Sequence, residues 1–173
     1  MKSLLLIAAM LVSALAFSQD DKSNRPSPPA QAKQTLKKGT VVTIDYSQPA
    51  VKGRTIGVDL EPLPGKVWRT GANEATVFEI SKDVLIEGKE LPAGKYGLFT
   101  LDDGDNWTFI FNKTWKQWGA FNYKESDDAL RVTVKAEKAK EFTERFLIEI
   151  EKDGEVELHW GNTEVGFKIK EKE

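Results

Sequence analysis

The chain has 173 residues, with 25 basic and 27 acidic side chains mixed along its length and a net charge of −2. Lacking a basic stripe, it is not built to bind nucleic acid. Cysteine is absent and histidine occurs once, which excludes disulfides, thiol nucleophiles and any zinc site made of three or four nitrogen or sulfur ligands.

Met1 and Lys2 give a short positive start, and residues 3–17 follow as an uncharged apolar run. Ala16 and Ser18 put small residues three and one positions before a cut at Gln19. This is the layout of a secretory signal peptide. A transmembrane span needs about 20 apolar residues, whereas this run stops at Gln19-Asp20-Asp21-Lys22 and no later segment approaches a span. The expectation is an exported protein, periplasmic or secreted, cleaved after Ser18 and without a span in the mature chain. With no cysteine after the cut, a lipid anchor of that kind is not expected. Loss of Lys2 leaves 24 basic against 27 acidic side chains, a mature net charge of −3.

Residues 19–38 are polar and carry Pro26, Pro28 and Pro29, which favour an extended backbone. They read as a flexible leader to residue 25, then an extended segment on the domain surface. Residues 39–171 read as a single β domain. Val42, Ile44 and Tyr46 alternate with polar neighbours, as do Thr76, Phe78 and Ile80. The same period of two recurs through Trp107–Phe111, Leu130–Val134, Phe146–Ile150, Val156–Trp160 and Val165–Ile169. Between these runs lie turn residues: Glu87-Gly88, Leu91-Pro92-Ala93-Gly94, Asp103-Gly104 and Asp153-Gly154. Gly161-Asn162 is expected to link the last two strands. Residues 136–141 (AEKAKE) alone have helical propensity, one or two turns at most. About ten short strands and no βαβ unit point to an all-β antiparallel sandwich. A barrel is the alternative, because the alternation is the same for both.

Four places could carry chemistry. The acidic knot Asp102–Asn106 lacks calcium-loop spacing and reads as a hairpin tip. His159 shares a strand face with Glu155 and Glu157 and reads as a rim residue rather than a base. The stretch from Trp68 to Glu74 packs an indole, Arg69, Asn73 and a carboxylate around Gly71. By parity Glu74 faces the core with Thr76 and Phe78, which is costly unless the charge is paired. Arg69 is the natural partner. Two readings stand: a buried Arg69–Glu74 brace, or a polar pocket floor of Trp68, Arg69, Asn73 and Glu74. The fourth place is Trp115–Tyr123, with four aromatics in nine residues. Trp115, Trp118, Asn122 and Tyr123 offer flat apolar faces with polar handles. They form either an aromatic wall or a lid whose rings are core. A single cluster of all five tryptophans fits both.

Longer motifs resemble a family. Asp45-Tyr46-Ser47-Gln48-Pro49, Val51-Lys52-Gly53-Arg54, Gly65-to-Thr76, Leu91-to-Thr100, Phe111-Asn112-Lys113, Trp118-to-Tyr123 and Trp160-Gly161-Asn162-Thr163 are similar to the DUF2911 family of exported bacterial proteins, as is the leader Arg25-to-Ala30. The chain departs at Gly161, where a glutamate is expected. The resemblance implies export and one domain, and supplies no reaction, cofactor or catalytic residue. Three functions follow as expectations. The first is non-catalytic binding of a small molecule or glycan by the two segments, with His159 and Asn162 at the rim and neither metal nor cofactor. The second is an interaction or scaffold protein with an envelope protein partner. The third is a hydrolase using Glu74 as acid or base, with its pKa raised by burial.

Overall fold

The computed structural model describes residues 22–172. The expected signal peptide and its cut lie outside the described residues. No helix among the described residues is long and apolar enough to cross a membrane.

The alternating runs form strands, as period-two burial requires. In chain order they are β1 (Pro29–Thr35), β2 (Val41–Ser47), β3 (Val67–Trp68), β4 (Thr76–Ile80), β5 (Val84–Ile86), β6 (Lys89–Leu91), β7 (Gly94–Asp103), β8 (Asn106–Asn112), β9 (Asp128–Lys135), β10 (Glu137–Ile150) and β11 (Glu155–Glu171). They make two antiparallel sheets, stacked as a sandwich and not closed into a barrel. The larger runs β1-β2-β4-β7-β8-β9, with the short β3 also paired to β7. The smaller runs β10-β11-β5-β6.

The core lies between the sheets. Val42, Ile44, Phe78, Phe109 and Phe111 point in from the larger sheet, and Phe146, Val156, Leu158 and Phe167 from the smaller; all are fully buried. Aromatic edges meet faces throughout. The Phe167 ring lies 4.8 Å from Phe109 and 5.4 Å from Phe111, and Phe146 lies 5.1 Å from Trp68 and 5.8 Å from Trp160. Such pairs add roughly 0.5–1.5 kcal/mol each beyond the area they bury.

Three segments depart from their sequence reading. Residues 136–141 are not helical: Glu137 and Lys138 open the 14-residue strand β10, opposite Glu164 and Thr163. Six residues cannot nucleate a helix on propensity alone, and cross-strand pairing overrides it. Gly161-Asn162 is not a turn, because β11 runs unbroken from Glu155 to Glu171. Gly161 (φ 60°) sits opposite Thr143, where the β10–β11 register shifts. A glycine at positive φ makes a bulge, which adds one residue and changes which parity faces inward. Buried positions accordingly pass from Val156, Leu158 and Trp160 to Val165, Phe167 and Ile169. Residues 29–35, read as an extended surface segment, pair along β2 from Pro29↔Ser47 to Thr35↔Val41 as an edge strand. Proline at its first position is the place an edge strand tolerates it.

The larger sheet also buries part of its outer face. Ala75, Phe99 and Ile110 form a small second cluster with Ala120 and Tyr123 of the 113–124 loop. The loop comes close at Gly97, where a side-chain carbon would lie 3.4 Å from Thr114 O and Trp115 Cα. Its base is pinned by Asn112, fully buried, whose Nδ2 donates to Lys124 O (3.0 Å) and Asp128 Oδ1 (2.8 Å) and whose Oδ1 accepts from the Thr114 amide (2.9 Å).

Candidate functional site

The two singled-out segments meet on this outer side. Glu74 and Trp118 form an isolated antiparallel bridge. The Ala75 amide donates to Gln117 O (3.0 Å) and the Gly119 amide to Asn73 O (3.1 Å). These bonds place Trp118, 54% exposed, between two concavities. One is a cleft of about 290 Å³, lined by Trp68, Arg69 and Asn73 together with Arg54, Glu61 and Trp118. The other is a shallower trough of about 360 Å³, lined mainly by Ala75, Val77, Trp115, Gln117 and Trp118, with Glu74 at its margin.

The core sets the cleft walls. Trp68 is buried, and its indole N–H donates to Gly71 O (3.0 Å). Trp160 is buried as well, and its N–H donates to Glu61 O (2.9 Å). Each indole thus buries its body between the sheets and uses its one polar atom to fix a loop carbonyl. The backbone between Trp68 and Glu74 is strained. Thr70 (φ 53°) and Asn73 (φ 60°) occupy the left-handed region, and Gly71 has φ 154°. Positive φ at a β-branched residue is a true outlier, which costs on the order of 1–3 kcal/mol and persists only where its surroundings hold it. Here Thr70 Oγ1 donates to Thr100 Oγ1 (3.2 Å), its carbonyl accepts from Thr76 Oγ1 (2.7 Å), and Asn73 Nδ2 donates to Ser27 O (3.0 Å).

The expected Arg69–Glu74 brace is absent. Arg69 Nη1 pairs with Glu61 Oε2 at 2.9 Å, across the cleft lining. Glu74 turns outward, its side chain 39% exposed, to Lys22 Nζ (2.8 Å) and Arg25 Nη1 (2.9 Å). The chain is already strained through residue 73, so strand parity does not carry back from Thr76 to Glu74. Its pKa moves the opposite way from the hydrolase expectation. Partial burial, the largest single influence, pushes it up. Hydrogen bonds from Lys22, its own amide and Arg25, with the Lys22 charge, outweigh that and hold it at about 2 against an ordinary 4.5. A carboxyl held ionised in this way is a poor proton donor near neutrality.

The same pairs tether the segment before β1. Because the folded pKa lies below the ordinary one, the tether is complete above about pH 4.5 and is lost as pH falls toward 2. Protection of the amides of residues 23–25 and 27 against hydrogen exchange, taken relative to the intrinsic rate at each pH, should therefore fall in the wild type as pH drops through that window. In Glu74→Gln that protection should be low already at pH 7 and should not change with pH.

The remaining candidates separate. Trp115, 36% exposed, has Lys95 Nζ 5.5 Å from its ring centre and lines only the trough. Tyr123 packs on Phe99 (5.2 Å) and donates to Asp128 Oδ2 (2.7 Å). Burial, then that bond and the Asp128 charge, raise its pKa. It belongs to the lid's packing and lines neither concavity. Asn122 is exposed and lines neither. His159 and Asn162 do not form a rim to the cleft. His159 lies on the outward face of the smaller sheet, with Nε2 3.2 Å from Glu149 and 3.7 Å from Glu157, and Nδ1 3.7 Å from Glu164. Burial and then the Glu164 charge raise the Glu157 pKa there, against the lowering effect of His159. The tryptophans divide: Trp68, Trp107 and Trp160 are core, and Trp115 and Trp118 are surface. Arg54 stands in the sequence only within the Val51–Arg54 run of the family resemblance, and neither it nor Glu61 is a site candidate there. They lie in the loop between β2 and β3, which lacks periodicity, and only the fold brings them to Arg69.

No curated protein and no solved structure matches the chain. Residues 27–169, from just before β1 to near the end of β11, match the family described as protein of unknown function, DUF2911. The span takes in both sheets, the strained 70–73 loop and the aromatic lid, and on that match the chain belongs to the DUF2911 family.

Proposed function

We propose that this domain binds a small polar molecule with one flat face, in the cleft beside Trp118. The observation that carries the reading is an indole left 54% exposed by a loop that is otherwise tied down by backbone bonds to residues 73–75. Leaving that area in water forgoes the stabilisation of burying it, about 25 cal/mol per Å², and a ligand stacked on it recovers the loss. The cleft beside it is held open by bonds from two core indoles and has polar side chains at its wall, as small-molecule sites do. Residues 1–18 support an exported setting, so the ligand is one met outside the cytoplasm, a glycan fragment or a small metabolite.

A thermal-shift screen of monosaccharides, oligosaccharides and cyclic metabolites on residues 19–173 tests this, because a ligand of the folded state raises its melting temperature. For any hit, Trp118→Ala should weaken binding by about tenfold or more, in line with aromatic anchors at binding sites. Phe121→Ala, on the same loop but 84% exposed and lining neither concavity, should leave it unchanged. A hit that survives Trp118→Ala at full affinity would move the site elsewhere.

A further inference from the structure

We propose that the cleft is built for a cyclic carboxylic acid, its carboxylate held by Arg54 and its ring laid on Trp118. This rests on the ligand-binding reading above and names the ligand's class.

The cleft lining holds three charged side chains, Arg54, Glu61 and Arg69. Arg69 and Glu61 pair at 2.9 Å and cancel. Arg54 has no carboxylate partner among the described residues. Its Nε donates to Val51 O (3.1 Å) and its Nη2 to Ala50 O (2.6 Å), two carbonyls of its own loop. Those bonds fix the plane of the guanidinium without neutralising it, and Nη1 makes no hydrogen bond within the described residues. The cleft therefore carries one uncompensated, oriented cation in a chain of net charge −2. An immobilised guanidinium has little entropy left to lose on pairing, and its planar fork matches a carboxylate better than a hydroxyl.

The charge count and the size narrow the class. A single unpaired cation suits a monoanion, and a dianion such as a phosphate monoester would crowd the Glu61 carboxylate. A volume of about 290 Å³ accommodates one ring with its substituents, at the lower end of ligand pockets, roughly 300–1,000 Å³. Trp118 supplies the apolar face for that ring. A neutral ring of equal shape would find the same stacking surface and leave Arg54 to water.

Two matched pairs test this by calorimetry: D-galacturonate against D-galactose, and cyclohexanecarboxylate against cyclohexanemethanol. In the wild type the acid of each pair should bind at least about tenfold tighter than its neutral partner, the usual gain from a charge-assisted bond. Arg54→Gln should bring the acid down to the neutral compound's level and leave the neutral one alone. Arg54→Lys, which keeps the charge without the fork, should retain part of the preference, and it guards against a loop disturbed by losing the carbonyl bonds. Equal affinities within each pair, or an acid preference unchanged in Arg54→Gln, would overturn the acid assignment. The cleft itself would still stand if Trp118→Ala weakened acid and neutral compounds alike. No binding by either acid at about 20 mM, a concentration that reveals even weak sites, would overturn the acid assignment, and the broader reading would then stand or fall on the thermal-shift screen.

Discussion

Phe146→Ala should destabilise this domain by about 3–5 kcal/mol. The ring is fully buried and meets Tyr46 at 5.8 Å, Trp68 at 5.1 Å and Trp160 at 5.8 Å, edge to face in each case. Removal therefore deletes one large side chain and three aromatic contacts, and leaves a cavity walled by rings too bulky to collapse into it. At about 2–4 °C per kcal/mol for a domain of this size, the melting temperature should fall by roughly 6–20 °C. Phe121→Ala, on a ring 84% exposed, should stay within about 0.5 kcal/mol of the wild type.

The loss should also reach the cleft. Trp68 and Trp160 both rest on Phe146, and their N–H groups hold Gly71 O and Glu61 O. Without the ring between them the indoles are free to tilt, and the two loop carbonyls lose their fixed donors. Ligand affinity measured well below the melting temperature should therefore fall in Phe146→Ala, although residue 146 does not line the cleft. A variant destabilised by this amount but unchanged in affinity would separate core from site.

How far the fold is legible in the sequence follows from how local its determinants are. The inward faces of β2, β4, β8 and β10 are written as period-two alternation, and Val42, Phe78, Phe109 and Phe146 are all buried as that pattern requires. The change of parity between Trp160 and Val165 is also in the sequence. Read as a turn it gives two strands, and read with Gly161 at positive φ it gives one strand with a bulge. What separates these is the partner: β10 is long enough to pair on both sides of the glycine, at His159 and at Glu164. Partner length is a tertiary fact, and no window around residue 161 contains it. The same holds for residues 137–141, where a lysine- and glutamate-rich run becomes strand because β11 lies beside it.

The site is legible in part, for a similar reason. Trp68, Arg69, Asn73 and Trp118 stand out by residue type and do line one cleft. Glu74 was paired with the nearest cation in sequence, yet it takes Lys22 and Arg25, about 50 positions away, because β1 runs back along β2 and brings them there. Arg69 in turn finds Glu61. Ion-pair choice between surface groups follows the chain path, and proximity in sequence is a weak guide to it.

Gly71→Ala should show how tightly the cleft wall is bound to the larger sheet. A side-chain carbon at residue 71 would lie 2.9 Å from Ser47 O and 3.1 Å from Thr76 Oγ1. Neither can yield cheaply: Ser47 O accepts the Ala72 amide (3.3 Å), and Thr76 Oγ1 donates to Thr70 O (2.7 Å). The backbone adds a second penalty, since φ 154° is a conformation that side-chain-bearing residues rarely adopt. Gly94→Ala isolates the backbone part, for it has nearly the same φ (152°) and no atom nearer than 3.8 Å. It should cost about 1–2 kcal/mol, whereas Gly71→Ala should cost about 2–4 kcal/mol, read as the shift in denaturant midpoint at unchanged slope. The excess is the contact between the 70–73 loop and β2. If that contact is what holds the cleft wall, Gly71→Ala should lose ligand affinity along with stability and Gly94→Ala should keep it. Equal costs at the two glycines would mean that the loop can lift away from Ser47 freely, and the fixed cleft that the proposed binding at Trp118 and Arg54 requires would lose its physical basis.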